Sequence, residues 1–124
     1  MTIPFPTWLL NVRSIVQAFS DADFQDRAWN GVIPTSFNSP DEMISVYFDD
    51  IMVPEFVEQH AVVLGADAVD AERQLSSMLE TYSWPIRDGF IDQDVLLKQY
   101  DWHQVRKAAH MFLAALENAA GCTS

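Results

Sequence analysis

Hydrophobic residues recur along most of the chain at a spacing near 3.6 positions, which is the period of an α-helix. Thr7 stands just before the first such run and is expected to be the N-cap of a first helix. One face of that helix carries the apolar residues Trp8, Leu9, Val12, Ile15, Val16 and Phe19. The pattern therefore predicts an amphipathic helix that buries this face against the rest of the protein.

The strongest local signal is the sequence Ser39-Pro40-Asp41-Glu42. Ser39 is a favourable N-cap, Pro40 suits the first helical position, and Glu42 can close a capping box. The helix that follows is predicted to end or kink at Pro54, because proline cannot donate a backbone hydrogen bond. Its apolar face consists of Ile44, Tyr47, Phe48 and Ile51.

The remaining helices are predicted from similar capping residues, glycines and apolar faces. They are a short helix between Ser20-Asp21 and Asn30-Gly31, a segment over 54–64 that ends at Gly65, a helix from Asp67 to about Tyr82, a short helix capped by Asp92 at 95–97, and a last helix from Asp101 to about Ala120. Residues 87–89 are interpreted as a turn, and the strand-like runs at 31–33 and 62–64 lack a paired hairpin turn. We therefore predict an all-α fold: a single compact bundle of about five or six helices with short loops, in which residues 1–124 form one domain.

Composition adds an electrostatic character to this fold. The 124 residues include 18 Asp and Glu against 7 Lys and Arg, so the net charge is −11 at pH 7. Such a chain is not expected to bind nucleic acid directly by general phosphate attraction, which needs Lys and Arg. Its single cysteine, Cys122, excludes an internal disulfide framework and a multi-cysteine metal site.

Targeting signals are weak in this sequence. Residues 1–6 contain no Lys or Arg, and the apolar stretch over 8–19 is interrupted by Asn11, Arg13, Ser14 and Gln17. A signal peptide needs a basic start and an unbroken apolar core, and a membrane span needs about 18 apolar residues. We therefore expect a soluble cytoplasmic protein without membrane contact.

The acidic residues are concentrated in one span. The 45 residues between Arg27 and Arg73 contain no Lys or Arg but nine acidic residues. If the helices on the two sides of Pro54 are contiguous, their polar faces form one anionic strip, which would attract a basic protein. A purely solvated face is the alternative interpretation. We name Glu42, Asp49, Asp50, Glu55 and Glu58 the acidic strip, and the predicted partner-binding residues are these five together with Asp67 and Asp70.

The sequence offers no catalytic motif. His103 and His110 are seven positions apart on the last predicted helix, about 10.5 Å along its axis, which is too far for both to bind one metal ion. We therefore predict no enzymatic activity, no cofactor and no metal site. Trp29, Trp84 and Trp102 stand at predicted helix ends, where they either cover the core or act as anchors at a protein interface.

The chain resembles bacterial toxin immunity proteins of the colicin D or contact-dependent growth inhibition type. The resemblance rests on size, charge, helical order, the step between helices from Phe19 to Phe24, and the acidic pair Asp49-Asp50. It implies a bacterial inhibitor that neutralises the basic nuclease domain of a cognate toxin. The alternatives are a phage or plasmid anti-defence protein that mimics nucleic acid, and a helical module that dimerises through its apolar face.

Overall fold

The computed structural model describes residues 3–122, with side chains described over 3–119. In this part of the chain the helices are α1 (Phe5–Ser20), α2 (Ala22–Trp29), α3 (Pro40–Ser45), a π-helical turn (Val46–Asp50), α4 (Val53–Gln59), α5 (Ala61–Leu64), α6 (Ala66–Thr81), α7 (Gln93–Leu97) and α8 (Tyr100–Cys122). Two short strands, β1 (Ile86–Arg87) and β2 (Phe90–Ile91), complete the list. The prediction of an all-α fold is confirmed, with somewhat more helical segments than expected.

Three predicted caps are confirmed by hydrogen bonds. The side chain of Asp21 accepts from the backbone N–H of Phe24 at the start of α2, and Ser39 Oγ accepts from the N–H of Glu42 at the start of α3. Asp92 caps α7 in the same way. Each bond satisfies one of the backbone donors that a helix leaves free in its first turn, so these boundaries are set by local sequence.

Three other predicted helix starts are wrong by one to three residues. α1 has Pro4 rather than Thr7 as its N-cap, because Pro6 is tolerated in a first helical turn. α6 begins after Gly65, which places Asp67 inside the first turn. There its negative charge interacts favourably with the positive end of the helix dipole. α8 already includes Tyr100, so Asp101 likewise lies within the first turn.

A small hairpin was missed by the sequence analysis. β1 and β2 pair antiparallel, with Ile86 opposite Ile91. The turn residues Asp88 and Gly89 both have positive φ, 55° and 84°, as a two-residue type I′ turn requires. The Asp-Gly pair was a usable signal, but the flanking strands are only two residues long and show no alternation.

The longest helix, α8, lies at the centre of the packing. α1 and α6 make extensive contacts with it, and α5 contacts both α6 and α8. α4 packs against α1 and α6, and α7 against α2 and α8. One side of α8 faces this core: Val105, Ala109, Phe112 and Leu116 are buried. No helix within residues 3–122 combines the length and the apolar character needed to cross a bilayer.

Candidate partner-binding surface

The seven predicted partner-binding residues are all exposed. Glu42 lies on α3, Asp49 and Asp50 on the π-helical turn, Glu55 and Glu58 on α4, and Asp67 and Asp70 on α6. Ser45 Oγ, at the end of α3, donates to Asp49 Oδ2 on the π-helical turn at 3.4 Å, so these two residues lie on the same face. The side chains on which the prediction rests are therefore available to a partner.

The acidic strip does not follow one helix axis. The sequence predicts a helix through residue 51, but α3 ends at Ser45 and the next five residues form a π-helical turn, with the Ile51 N–H donating to Val46 O at 2.8 Å. Met52 then adopts a left-handed conformation, with φ 57° and ψ 58°, before α4 begins. The predicted segment over 54–64 is also divided, because α4 ends before His60. The strip is thus carried by three short segments that pack in succession.

A tertiary hydrogen bond accompanies this break. The indole Nε1 of Trp8 on α1 donates to the carbonyl oxygen of Ile51 at 2.6 Å. This bond gives a partner to a carbonyl group at the end of the π-helical turn, where a regular helix would have continued. The segment that carries Asp49 and Asp50 is therefore held against α1 from a position 43 residues away in sequence.

Within the described part of the chain, the acids of this surface have no ion-pair partner. Among the described side chains, the salt bridge present joins Arg13 to Glu117 at 3.6 Å, and it lies between α1 and α8. Arg73 is the first cationic residue after the acidic span, and its charge acts on the neighbouring Glu72 without closing a salt bridge. The negative charges are consequently left for solvent ions or for a partner to neutralise.

Two of the nine acids in the span have structural roles instead. Asp41 Oδ2 accepts from the backbone N–H of Ile91 at 3.1 Å and so ties α3 to the hairpin. Glu72 is only 6 % exposed, which rules it out as part of an accessible surface. The sequence alone did not distinguish these two carboxylates from the exposed ones, because both depend on residues far away along the chain.

Glu72 belongs to a buried hydrogen-bond chain. Tyr47 Oη and Ser76 Oγ lie 3.1 Å apart, and Ser76 Oγ donates to Glu72 Oε2 at 2.7 Å. Burial raises the pKa of Glu72 above that of an ordinary glutamate; the hydrogen bond from Ser76 and the charge of Arg73 oppose this effect, while Glu55 adds to it. Burial also raises the pKa of Tyr47.

Two exposed glutamates influence Glu72. Glu55 on α4 and Glu80 on α6 both add to the rise in the pKa of Glu72, and α4 packs against α6. Glu80 was missed by the sequence analysis, because it lies beyond the span without Lys or Arg.

His60 and the buried tryptophans have structural positions, whereas His103 and His110 are exposed on α8. His60 packs its ring against Phe5 and Phe56, with centroids 4.8 and 5.1 Å away. No group of three or more His, Cys, Asp or Glu in the described residues is arranged to hold a metal ion. Trp29 and Trp102 are buried in the core rather than available as interface anchors, and the half-buried Trp84 covers Trp102 at 5.8 Å.

No protein-family model, no curated protein sequence and no solved structure matches this chain. Its function must therefore be inferred from its own surface chemistry.

Proposed function

We propose that this protein binds a basic protein partner through its acidic strip and neutralises it. The proposed partner is the nuclease domain of a bacterial competition toxin, which makes the chain an immunity protein acting in the cytoplasm. In this proposal the protein has no catalytic activity of its own and needs neither a cofactor nor a metal ion.

One observation carries the proposal: the exposed carboxylates of the strip have no cationic partner among the described side chains. Uncompensated like charges repel one another and reduce the stability of the folded state. A basic cleft would relieve this repulsion and would be drawn to the strip over several ångströms. Nuclease domains have such clefts, because they must attract the phosphates of their substrate.

The localisation of the charge favours a binding patch over a general nucleic-acid mimic. A mimic would distribute carboxylates over much of its surface, in place of a ladder of phosphates. Here the first half of α8 carries Arg106, Lys107 and two histidines, while the seven predicted partner-binding acids lie on α3, the π-helical turn, α4 and α6. The resemblance to immunity proteins supports the same choice of partner.

The test removes charge and preserves shape. In the strip variant, Asp49→Asn, Asp50→Asn, Glu55→Gln and Glu58→Gln are combined. A control variant combines Asp23→Asn, Asp26→Asn, Asp94→Asn and Asp101→Asn, four exposed acids outside the strip. Both variants reduce the net charge from −11 to −7, so they differ only in where charge is lost.

The genes next to this one are searched for a toxin with a basic nuclease domain, and each form of the protein is assayed against that domain by cell protection and by surface plasmon resonance. We expect the strip variant to lose affinity by at least about 100-fold, because removing one partner of a buried hydrogen-bonded charge pair costs roughly 2–5 kcal/mol. The control variant should bind and protect almost normally. The association rate of the wild type should fall as the Debye length shrinks from about 10 Å at 0.1 M salt to about 3 Å at 1 M. Full protection by the strip variant would show that the strip is only a solvated face and not the binding surface.

A further inference from the structure

An open groove of about 820 Å³ lies between the α5–α6 segment and the C-terminal half of α8. Val63 and Ala71 line one side, and Met111, Ala114 and Ala115 line the other. The acidic strip does not contribute to it. The groove was not anticipated from sequence, because its two walls are more than 35 residues apart along the chain.

The groove exposes apolar surface that a solvated face would not need. Met111 is 64 % exposed and Val63 is 51 % exposed, and the adjacent Val62 is 98 % exposed. These side chains offer apolar area that an incoming apolar surface would remove from water on binding. The alanines at 71, 114 and 115 are short, so the backbone of an incoming element can approach α6 and α8 closely.

The negative charge of the groove favours an occupant with cationic side chains. Asp67 and Asp70 lie along one edge, and the thirteen described lining residues include no Lys, Arg or His. A partner that buries apolar side chains here would therefore gain from cationic side chains placed next to Asp67 and Asp70, and would be penalised for acidic ones. These thirteen residues also include no aromatic side chain, unlike the lining of most pockets for small ligands.

We propose that this groove binds an amphipathic helix with an apolar stripe flanked by Lys or Arg, supplied by the basic partner. The inference rests on the proposed function and adds a second contact surface to it. A helix fits because the groove is formed by helices, and the described lining offers no strand edge to which an extended peptide could add. The acidic strip would provide long-range attraction, and the groove would provide apolar contact after encounter.

The first experiment uses synthetic peptides and does not need the partner. An 18-residue fluorescein-labelled helix has Leu and Ala on one face and Lys on both flanks. A second peptide replaces each Lys with Glu, and a third contains the residues of the first in an order without an apolar face. Binding is measured by fluorescence anisotropy, and methyl resonances of Met111 and Ala114 are followed by NMR.

We expect the first peptide to bind, to shift both methyl resonances, and to exceed the affinity of the other two by at least about tenfold. Ala114→Trp should fill the groove and weaken binding at least tenfold, whereas Ala22→Trp, at an exposed alanine of α2, should not. Met111→Lys provides a second groove variant that tests charge repulsion should Ala114→Trp fail to fold. Equal affinity for the first and third peptides would overturn the inference, because it would show attraction by net charge alone.

The second experiment separates this inference from the proposed function. If the nuclease domain binds the wild type and both groove variants equally but not the strip variant, the groove inference is overturned and the proposed function is retained. If the groove variants release both the first peptide and the nuclease domain, the inference is supported. If the nuclease domain binds no form of the protein while the first peptide behaves as expected, the proposed partner is wrong, but the inference that the groove binds a basic amphipathic helix is retained. A wild-type dimer in sedimentation that Ala114→Trp dissociates would overturn the inference in favour of a second copy of this chain.

Discussion

At the scale of single residues, the buried amide of Gln25 connects three helices. Its Nε2 donates to the carbonyls of Ala18 and Phe19, at 3.0 and 2.8 Å, near the end of α1. Its Oε1 accepts from Trp102 Nε1 on α8 at 3.0 Å. Buried polar groups are nearly always hydrogen-bonded, so Gln25, which the sequence analysis did not single out, constrains how α1 and α8 meet.

Glu72 is the other polar residue whose environment is decided by packing. Because burial raises the pKa of Glu72 in the folded state, the folded protein holds that proton more tightly than the unfolded chain does. The stability gained in this way is fully present below the ordinary glutamate pKa of about 4.3 and is lost as pH rises through the folded-state pKa. At neutral pH the buried side chain of Glu72 therefore lowers the free energy of unfolding.

Glu72→Gln should accordingly make the protein more stable than the wild type at pH 8, since the amide oxygen can still accept the hydrogen bond from Ser76. The gain should disappear at pH 3.5, where the wild-type side chain is protonated in both the folded and the unfolded state. Urea unfolding followed by circular dichroism at the two pH values measures the difference. Glu80→Gln, an exposed glutamate on the same helix, is the control and should have a smaller effect. A variant less stable than the wild type at pH 8 would contradict this expectation.

At the scale of elements, the segment from 40 to 64 departs most from a regular helix. The sequence predicts two helical segments divided at Pro54, yet the chain forms α3, a π-helical turn, α4 and α5. Tyr47 is fully buried and its ring packs edge-on against Phe19 of α1 at 5.7 Å. Tight contacts of this kind, together with the bond from Trp8 to Ile51, favour a local conformation that helix propensity alone does not select.

Gly65 makes the connection from α5 to α6 possible. Its φ of 90° and ψ of 165° belong to a region that residues with a side chain rarely adopt. A Cβ atom built there would meet no atom within 4 Å, so the restriction comes from the backbone rather than from crowding.

Gly65→Ala should therefore lower the free energy of unfolding by about 1–3 kcal/mol. Val62→Ala, at a residue of α5 that is 98 % exposed, is the matched control and should change it by less than about 0.5 kcal/mol. Both values come from urea denaturation with circular dichroism detection. Equal effects of the two substitutions would show that the α5–α6 connection adjusts without strain.

At the scale of the whole molecule, negative charge exceeds what internal pairing can offset. The net charge is −11, and one salt bridge is formed among the described side chains. The folded state brings these charges closer together than the unfolded chain does, so self-repulsion opposes folding. Binding a basic partner would remove part of this repulsion.

Added salt should therefore stabilise the free protein. Between 0.01 and 0.1 M NaCl the Debye length falls from about 30 to about 10 Å, and we expect the free energy of unfolding in urea to rise by on the order of 1 kcal/mol. Sodium perchlorate at equal ionic strength should give a similar rise if screening is the cause. A constant or falling stability over this range would show that the charges are too far apart to matter.

The sequence by itself determined the helical class, the sign of the charge and several boundaries. Caps at Asp21, Ser39 and Asp92 were predictable because each satisfies backbone groups within three residues of itself. The exposure of the seven predicted partner-binding residues also followed from local pattern, since a helix places its polar face away from its apolar one.

Only the tertiary structure decided which acids are accessible and which surfaces are formed jointly. In sequence, Asp41 and Glu72 look like their exposed acidic neighbours. Asp41 has a structural role because it accepts a hydrogen bond from a hairpin amide 50 residues away. Glu72 has one because it is hydrogen-bonded to Ser76, which in turn contacts Tyr47. The groove between α6 and α8 likewise exists only after distant helices pack. Local spacing reports the conformation of a segment, whereas burial and joint surfaces depend on contacts between segments, and these contacts have no fixed period along the chain.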